Sequence, residues 1–247
     1  MSFKAASASW LRSPNFGERR GGRSVDLLLL HYTGMPSTEA ACRWLCDPAS
    51  QVSCHYLVDE QGLVTQMVAE EMRAWHAGIS SWKGESDINS CSIGIEIANP
   101  GHEWGYVDFP EKQVRSVVDL CLDILSRHPI PPERVLAHSD VAPERKTDPG
   151  EKFPWGLFAS EGIGHWVEPA PLDGRIVCRP GDGGDEVAEL RRKLSVYGYG
   201  IAPGEGYDGA TETVLRAFQR HFRPARVDGL ADASTLDTLA RLLATLP

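Results

Sequence analysis

The sequence lacks an excess of positive charge. It contains 25 lysines and arginines against 34 aspartates and glutamates, which gives a net charge of −9. Such a chain is poorly suited to holding phosphate backbones by charge, so we expect no nucleic-acid partner. Its 42% apolar and 24% charged residues are ordinary for a folded protein, and 247 residues allow one large domain and one small one.

Long apolar runs are also missing. No stretch approaches the roughly 20 apolar residues of a membrane-spanning helix, and the longest run, Leu27 to Leu30, is typical of a buried strand. The N-terminal sequence MSFKAASASWLRSPNFGERRGGRS has no apolar segment of the length that a secretory signal needs. These features predict a cytoplasmic protein, and a periplasmic or secreted protein whose leader has been removed is the alternative.

Paired Cys-x-x-Cys motifs are absent, although the chain has six cysteines. A structural zinc at Cys42, Cys46 and Cys54 would therefore lack the usual spacing. A chain of this length can bury a core without disulfides, and Cys121 lies on the apolar face of a predicted helix. The pattern favours buried, reduced thiols over disulfides.

Apolar patterns predict strands and helices in alternation. The continuous run over residues 25–30, which ends at His31, indicates a central strand buried on both faces. Residues 54–59 and 62–68 suggest a hairpin, and residues 91–97 alternate as a further strand. The other predicted elements are a helix capped by Ser37 or Thr38 and ended by Pro48, a loop over residues 73–90, a helix capped by Asp108 with an apolar stripe from Val114 to Leu125, and a strand over residues 134–137.

The sequence changes character after about residue 165. Residues 168–185 are rich in proline and glycine and have no periodicity, which is typical of a linker, and we place the linker at residues 167–180. Three helical patterns follow, over residues 186–197, 211–222 and 233–246. Three short helices make a small bundle that is only marginally able to fold alone. We therefore expect two domains, residues 1–166 and residues 181–247.

Three side chains are candidates for metal ligands. His31 and His138 each end a predicted strand, and Asp148 lies in the loop after the second of these strands. Strand ends are rigid enough to fix ligands within the tolerance that a metal demands. Two imidazoles and one carboxylate suit a catalytic zinc, which keeps its fourth position for water. Spacing alone does not establish the site, because most histidines bind no metal.

Four motifs surround these residues in the order LLLLHYTG, AWHAGISSW, SIGIEIANPG and HSDVAPERKTDPG. Over residues 23–166 the chain thereby resembles the zinc-dependent N-acetylmuramoyl-L-alanine amidases of the peptidoglycan-recognition-protein and phage lysozyme-amidase superfamily. The resemblance implies an α/β fold, with a central mixed sheet flanked by helices and one Zn²⁺ in a surface cleft. It places His31, His138 and Asp148 at the zinc ligands, Glu96 at the catalytic glutamate and Lys146 at the catalytic lysine.

The chemistry of these residue types suits amide hydrolysis. Zinc lowers the pKa of a bound water towards about 7 and polarises a carbonyl group. Glu96 alternates with Ile95 and Ile97, so it points away from them and can transfer the proton between water and the departing L-alanine amine. Lys146 lies two residues before Asp148, within reach of the oxyanion. A structural glutamate and a solvated lysine are the alternatives.

Further candidates lie in the glycine-containing loop after residue 73. Trp75 and His76 are candidates for substrate binding, through contacts with the sugar or the peptide. A place in the core is an equally good alternative for Trp75. His55 precedes a predicted strand, and we expect it to have a structural role.

Residues 181–247 resemble a peptidoglycan-binding three-helix module through the segments EVAELRRKLSVYGYG, YDGATETVLRAFQRHF and VDGLADASTLDTL. Such a module would prolong residence on polymeric wall without taking part in bond cleavage. The alternative is that it packs on the catalytic domain and shapes the cleft.

The resemblance implies a hydrolase that cuts the amide between the lactyl group of N-acetylmuramic acid and L-alanine, in wall-fragment recycling or wall turnover. Its partner is then peptidoglycan or a muropeptide, and we predict no protein partner. A non-catalytic peptidoglycan-recognition protein is the alternative, although such proteins typically have lost a zinc ligand. A peptidase or endolysin of altered specificity on the same scaffold is another.

Overall fold

The computed structural model describes residues 8–246. Residues 1–7, on which part of the expectation about a leader falls, and Pro247, the end of the predicted helical module, lie outside the described residues. The strands are β1 (Ser9–Trp10), β2 (Phe16–Glu18), β3 (Leu27–Tyr32), β4 (Tyr56–Val58), β5 (Val64–Gln66), β6 (Met72–Ala74), β7 (Ser92–Ile97), β8 (Val135–Ala137), β9 (Ile176–Cys178) and β10 (Ala231–Asp232). The α-helices are α1 (Thr38–Cys46), α2 (Ile88–Cys91), α3 (Glu111–Arg127), α4 (His138–Val141), α5 (Trp155–Ser160), α6 (Asp185–Tyr197), α7 (Gly209–Phe222) and α8 (Ala233–Ala244).

Six strands form one mixed sheet in the order β1-β5-β4-β7-β3-β8. The β4–β5 hairpin is antiparallel, and the other neighbouring pairs are parallel. The predicted α/β class, with a central mixed sheet flanked by helices, is therefore confirmed. Since β7 and β8 both run parallel to β3, the carboxyl ends of all three strands meet at one edge of the sheet.

The apolar run of β3 is buried on both faces, as predicted. Its four leucines, Leu27 to Leu30, are each 0% exposed. Leu28 and Leu30 belong to a cluster with α3, whereas Leu27 and Leu29 belong to a cluster with Trp82 and with apolar side chains of α6, α7 and α8. Successive side chains of a strand point to opposite faces. One apolar cluster therefore runs from the face of β3 opposite α3 into the C-terminal helices.

A side chain caps the start of three of the described α-helices, α1, α7 and α8. The Ser37 side chain accepts a hydrogen bond from the backbone N–H of Ala40, at 3.2 Å, and caps α1 as predicted. Helix α3 begins one residue after Pro110, which caps it without a side-chain hydrogen bond. The predicted cap by Asp108 is therefore wrong, and Asp108 instead pairs with Lys152 at 3.2 Å.

Other sequence predictions need correction where tertiary contacts decide. The predicted loop over residues 73–90 includes the end of β6, which pairs with β2, and the start of α2. The predicted linker contains β9, which pairs antiparallel with β10. Leu122, placed in the apolar stripe of α3, is 38% exposed. Strands as short as β6 and β9 form because they pair with a strand that is distant in the sequence, and their own residue pattern is too short to predict them.

The six cysteines are all free, which confirms the preference for reduced thiols. Four are buried, and Cys42 and Cys46 are partly exposed. Across residues 8–246, no helix combines the length and the apolar character needed to cross a membrane.

Candidate active site

The three predicted metal ligands meet at the carboxyl edge of the sheet. His31 is the penultimate residue of β3, and His138 begins α4 directly after β8. Because β3 and β8 are parallel neighbours, paired at Leu30 and Ala137, the two imidazoles emerge side by side. The loop after α4 brings Asp148 to them. The Nδ1 atoms of the histidines are 2.9 Å apart, and Asp148 Oδ2 lies 3.1 Å from His31 Nδ1 and 3.0 Å from His138 Nδ1.

This donor set fits zinc. Ligand atoms about 2.0–2.1 Å from a tetrahedral Zn²⁺ lie about 3.3 Å from one another, close to the spacing of these three atoms. Among the described residues they form the one group of histidine, cysteine or carboxylate side chains that could share a metal ion. All three residues are buried. Two imidazole nitrogens that face each other beside a carboxylate are well arranged to share a cation.

Burial and mutual proximity hold His31 and Asp148 in the protonation states that bind metals. Desolvation, together with the neighbouring His138, lowers the pKa of His31 to about 4. Burial alone would raise the pKa of Asp148, but the two adjacent imidazoles outweigh it and hold that pKa well below its usual range. A neutral imidazole and an ionised carboxylate are the forms that coordinate a metal near neutral pH.

Hydrogen bonds made by the Nε2 atoms of His31 and His138 leave the Nδ1 atoms facing each other and Asp148. His138 Nε2 donates to the backbone oxygen of Ala77 at 3.1 Å, which leaves Nδ1 free to coordinate. His31 Nε2 lies 3.0 Å from His76 Nδ1, and His76 Nε2 lies 3.2 Å from Ser92 Oγ. Ser92 Oγ in turn donates to the backbone oxygen of Ile88 at 2.6 Å. The three hydrogen bonds from His31 to Ile88 can therefore all run in one direction, each residue donating to the next. Such outer partners orient ligands and raise their basicity.

His76 therefore lies behind His31, with both ring nitrogens within hydrogen-bond distance of neighbours. It is 8% exposed, and its ring packs against Gly94 so closely that a Cβ there would lie 2.5 Å from the imidazole. The glycine of the SIGIE motif thus makes room for this histidine. His76 also lines the cleft, so its predicted contact with substrate stays a prediction.

Glu96 lies next to His31 across the β3–β7 pair. Its Oε2 atom is buried and has no hydrogen-bond partner among the described residues. Burial, reinforced by the nearby Asp148 carboxylate, raises the pKa of Glu96 well above its usual value, and Lys146 opposes that rise. A buried carboxylate oxygen without a partner is costly for folding alone, and it is typical of a functional group.

A cleft of about 510 Å³ opens over this group. Its walls include Glu96, Lys146 and the partly buried Trp75, together with the predicted ligands His138 and Asp148. The structure thus brings together every residue that the sequence analysis proposed for the site. His55 lies outside the cleft lining, and its Nδ1 accepts the backbone N–H of Gly94 at 3.0 Å.

Several supporting residues escaped the sequence analysis. The Tyr32 hydroxyl lies 2.9 Å from both Thr147 Oγ1 and His102 Nδ1, and so ties β3 to the loop that carries Asp148. Arg145 Nη2 donates to the backbone oxygen of Ala77 at 2.8 Å, the same oxygen that His138 contacts. Tyr32, Arg145 and Thr147 belong to the HYTG and ERKTD motifs. The sequence gives no sign of their hydrogen bonds, because the partners lie far apart along the chain.

The chain is similar in sequence to known protein families. A family model described as N-acetylmuramoyl-L-alanine amidase matches residues 21–151, and a second model, for a peptidoglycan binding domain, matches residues 183–239. The chain is 37% identical over 223 residues to the N-acetylmuramoyl-L-alanine amidase AmiD of Escherichia coli (strain K12), and this match covers 85% of the chain and 79% of AmiD.

Two solved structures share the fold over most of the chain. One is E. coli AmiD in complex with the substrate anhydro-N-acetylmuramic acid-L-Ala-D-gamma-Glu-L-Lys, with a TM-score of 0.76, 37% identity and 89% coverage of each chain. The other is AmpDh3 from Pseudomonas aeruginosa, with a TM-score of 0.76 and 30% identity, covering 100% of this chain and 99% of AmpDh3. The chain therefore belongs to the N-acetylmuramoyl-L-alanine amidase family, hydrolases that cut the amide bond between the muramoyl lactyl group and L-alanine.

Proposed function

We propose that this amidase holds one zinc ion at His31, His138 and Asp148 and hydrolyses the lactyl–L-alanine amide of muropeptides beside it. The observation that carries the proposal is the buried triangle of two imidazole nitrogens and one carboxylate oxygen, with sides of 2.9–3.1 Å. A bound zinc ion would supply a Lewis acid that polarises the amide carbonyl and lowers the pKa of water towards about 7.

Glu96 is assigned the proton transfer. Its carboxylate takes a proton from the attacking water and returns it to the departing L-alanine amine. Its place beside His31 in the sheet, its unpartnered Oε2 and its raised pKa support this role, because a group that must both accept and release a proton works best with a pKa near the working pH.

Lys146 is assigned to the oxyanion. Lys146 lies two residues before Asp148, and its side chain lines the cleft. Its ammonium can donate a hydrogen bond to the carbonyl oxygen, on which negative charge develops during the reaction. Trp75 is assigned to substrate binding, since its partly exposed ring forms part of the cleft wall. His76 remains a second candidate for substrate contact.

We take a muropeptide with a short stem as the substrate. The support is the solved AmiD complex, whose bound substrate is anhydro-N-acetylmuramic acid-L-Ala-D-gamma-Glu-L-Lys. The cleft of about 510 Å³ is within the range of sites that take small ligands.

The predicted domains and the cellular location remain proposals. We keep residues 1–166 as the catalytic domain, 167–180 as a linker that includes β9, and 181–247 as the helical domain. A cytoplasmic location is supported by six free thiols, since reducing compartments keep cysteines unpaired. Detection of the protein in fractionated cells decides between cytoplasm and periplasm.

Metal analysis and product analysis together test the function. We expect one zinc per chain, loss of activity on chelation and recovery with added zinc, and the mass spectrum should show an intact stem peptide beginning with L-alanine. Full turnover by metal-free protein would overturn the zinc assignment. Binding of wall fragments without any product would favour the non-catalytic recognition protein instead.

A further inference from the structure

The carboxylate of Asp140 has a role that neither metal binding nor proton transfer explains. Asp140 lies on α4, two residues after His138, and is 0% exposed. Its Oδ2 accepts a hydrogen bond from the backbone N–H of Ala137 at 2.8 Å. It thereby closes the first turn of the helix that begins at the metal ligand.

The other donors to Asp140 come from the C-terminal part of the chain. The Tyr199 hydroxyl, in the turn after α6, donates to Oδ1 at 2.7 Å. His221 Nδ1, on α7, donates to Oδ2 at 2.6 Å. Both residues are 2% exposed, and the His221 ring stacks on Trp155 with a centroid distance of 3.7 Å. The C-terminal part of the chain therefore supplies the side-chain donors for a buried carboxylate directly behind the proposed ligand His138.

The turn held by Asp140 positions two of the three proposed ligands. The backbone N–H of Ser139 donates to the backbone oxygen of Asp148 at 3.0 Å, so the turn that presents His138 also fixes the Asp148 loop. A shift of α4 would move both ligand atoms relative to His31 on β3. Metal affinity falls steeply with such shifts, because ligand atoms must stay within a few tenths of an ångström of their places.

The strength of these contacts favours positioning over incidental packing. Hydrogen bonds to a buried carboxylate are the strong, charge-assisted kind, and losing one leaves charge without a partner. Burial and the adjacent Asp140 raise the pKa of Tyr199 well above its usual value, so its hydroxyl stays protonated and remains a donor. A module that only tethered the enzyme to the wall would not need a buried hydrogen bond to the helix of a metal ligand.

We infer that Tyr199 and His221 are positioning residues of the active site, which act through Asp140 to hold His138 and Asp148 in the geometry that binds zinc. This inference rests on the proposed zinc site. It also assigns the C-terminal helices a part in cleavage, in addition to any contact they make with polymeric wall.

The test compares two buried tyrosines in the full-length protein. Tyr199→Phe removes the donor to Asp140, whereas Tyr207→Phe, the control, removes a 2.6 Å hydrogen bond from an equally buried hydroxyl to the Gly229 backbone oxygen within the C-terminal helices. Zinc affinity is measured by competition with a chromophoric chelator, and thermal stability is measured on the metal-free proteins. We expect Tyr199→Phe to weaken zinc binding about tenfold and Tyr207→Phe to leave it within about twofold.

His221 gives a second, independent pair of variants should Tyr199→Phe fold poorly. His221→Asn retains an N–H near the position of Nδ1, and His221→Leu removes it. We expect the leucine variant to bind zinc about tenfold more weakly and the asparagine variant to recover most of that loss. Zinc affinities unchanged in both Tyr199→Phe and His221→Leu would overturn the inference. A parent protein that binds no zinc would overturn the proposed function itself, which separates the two failures.

Discussion

Glu96 and His31 lie side by side in register on the parallel strands β7 and β3. Paired residues of neighbouring strands point to the same face, so the proposed proton carrier and a proposed metal ligand leave the sheet together. Ile95 and Ile97 point to the opposite face and join the cluster under α3. The alternation of β7 thus separates Glu96 from the apolar cluster under α3.

Glu96→Gln should retain zinc and lose most activity. Glutamine preserves the shape of the side chain but cannot accept the proton, and loss of a general base typically lowers kcat about 10²–10⁴-fold. Steady-state rates and metal content are measured on the same preparation. Glu168→Gln, an exposed change outside the cleft, is the control. A Glu96→Gln enzyme within twofold of the parent would show that Glu96 is structural.

Lys146→Met should likewise bind zinc normally and turn over slowly. Methionine keeps the length of the side chain and removes the ammonium that we assign to the oxyanion, a contact worth about 10²–10³-fold in kcat. The matched control is Lys112→Met on the exposed face of α3. A rise in KM at constant kcat would instead assign Lys146 to substrate binding in the ground state.

His76→Ala separates the two roles open to this residue. Its 3.0 Å contact with His31 Nε2 predicts that the variant binds zinc about 10–100-fold more weakly, because the ligand loses its outer partner. Ser92→Ala, one step further along the chain of hydrogen bonds, should have a smaller effect in the same direction. Unchanged zinc affinity together with a raised KM would support the contact with substrate predicted from the sequence.

Protonation of the Glu70 carboxylate should lower the stability of the folded protein at acidic pH. Burial alone would raise its pKa, but hydrogen bonds from Arg127, His128 and Tyr56 lower it from 4.5 to about 2. When the pKa of a carboxylate is lower in the folded than in the unfolded protein, the charged group stabilises the fold at any pH above the unfolded-state pKa. This contribution is lost as the pH falls from about 4.5 towards 2.

Glu70→Gln should therefore lower the free energy of unfolding by about 2 kcal/mol at pH 7 and by less than half of that at pH 3. Urea unfolding at both pH values measures the difference. The exposed neighbour Glu71 gives the control variant Glu71→Gln, which should be close to neutral. An equal penalty at pH 7 and pH 3 would contradict the charged role of Glu70.

Truncation after residue 175 should impair the enzyme on every substrate. Trp82 is 0% exposed and makes edge-to-face contacts with Tyr197 and Tyr199, at centroid distances of 6.0 and 5.0 Å. Removal of the helices would expose this ring and take away the donors to Asp140. We expect a lower Tm and similar losses of kcat/KM on a small muropeptide and on sacculi. A loss confined to sacculi would favour the tethering role.

The sequence by itself determined the class of fold and the candidates for the chemistry. The period-two strands, the leucine run of β3 and the capped helix α1 follow from local patterns, which act over a few residues. The four motifs identified the family and selected Glu96 and Lys146 together with the three proposed ligands His31, His138 and Asp148. The ligands can be recognised in a sequence because a metal site restricts which residue types can occupy it.

Only the tertiary structure decided how these residues are held. His76 lies against His31 because the segment after β6 packs on β7, where Gly94 leaves space for its ring. Asp140, Tyr199 and His221 meet although they lie in different helices and turns. Such contacts depend on how packed elements approach each other, and no local pattern encodes the pairing of side chains so distant in the chain. The C-terminal helices thus look like a separate module in the sequence, whereas in the structure they share a core with the sheet.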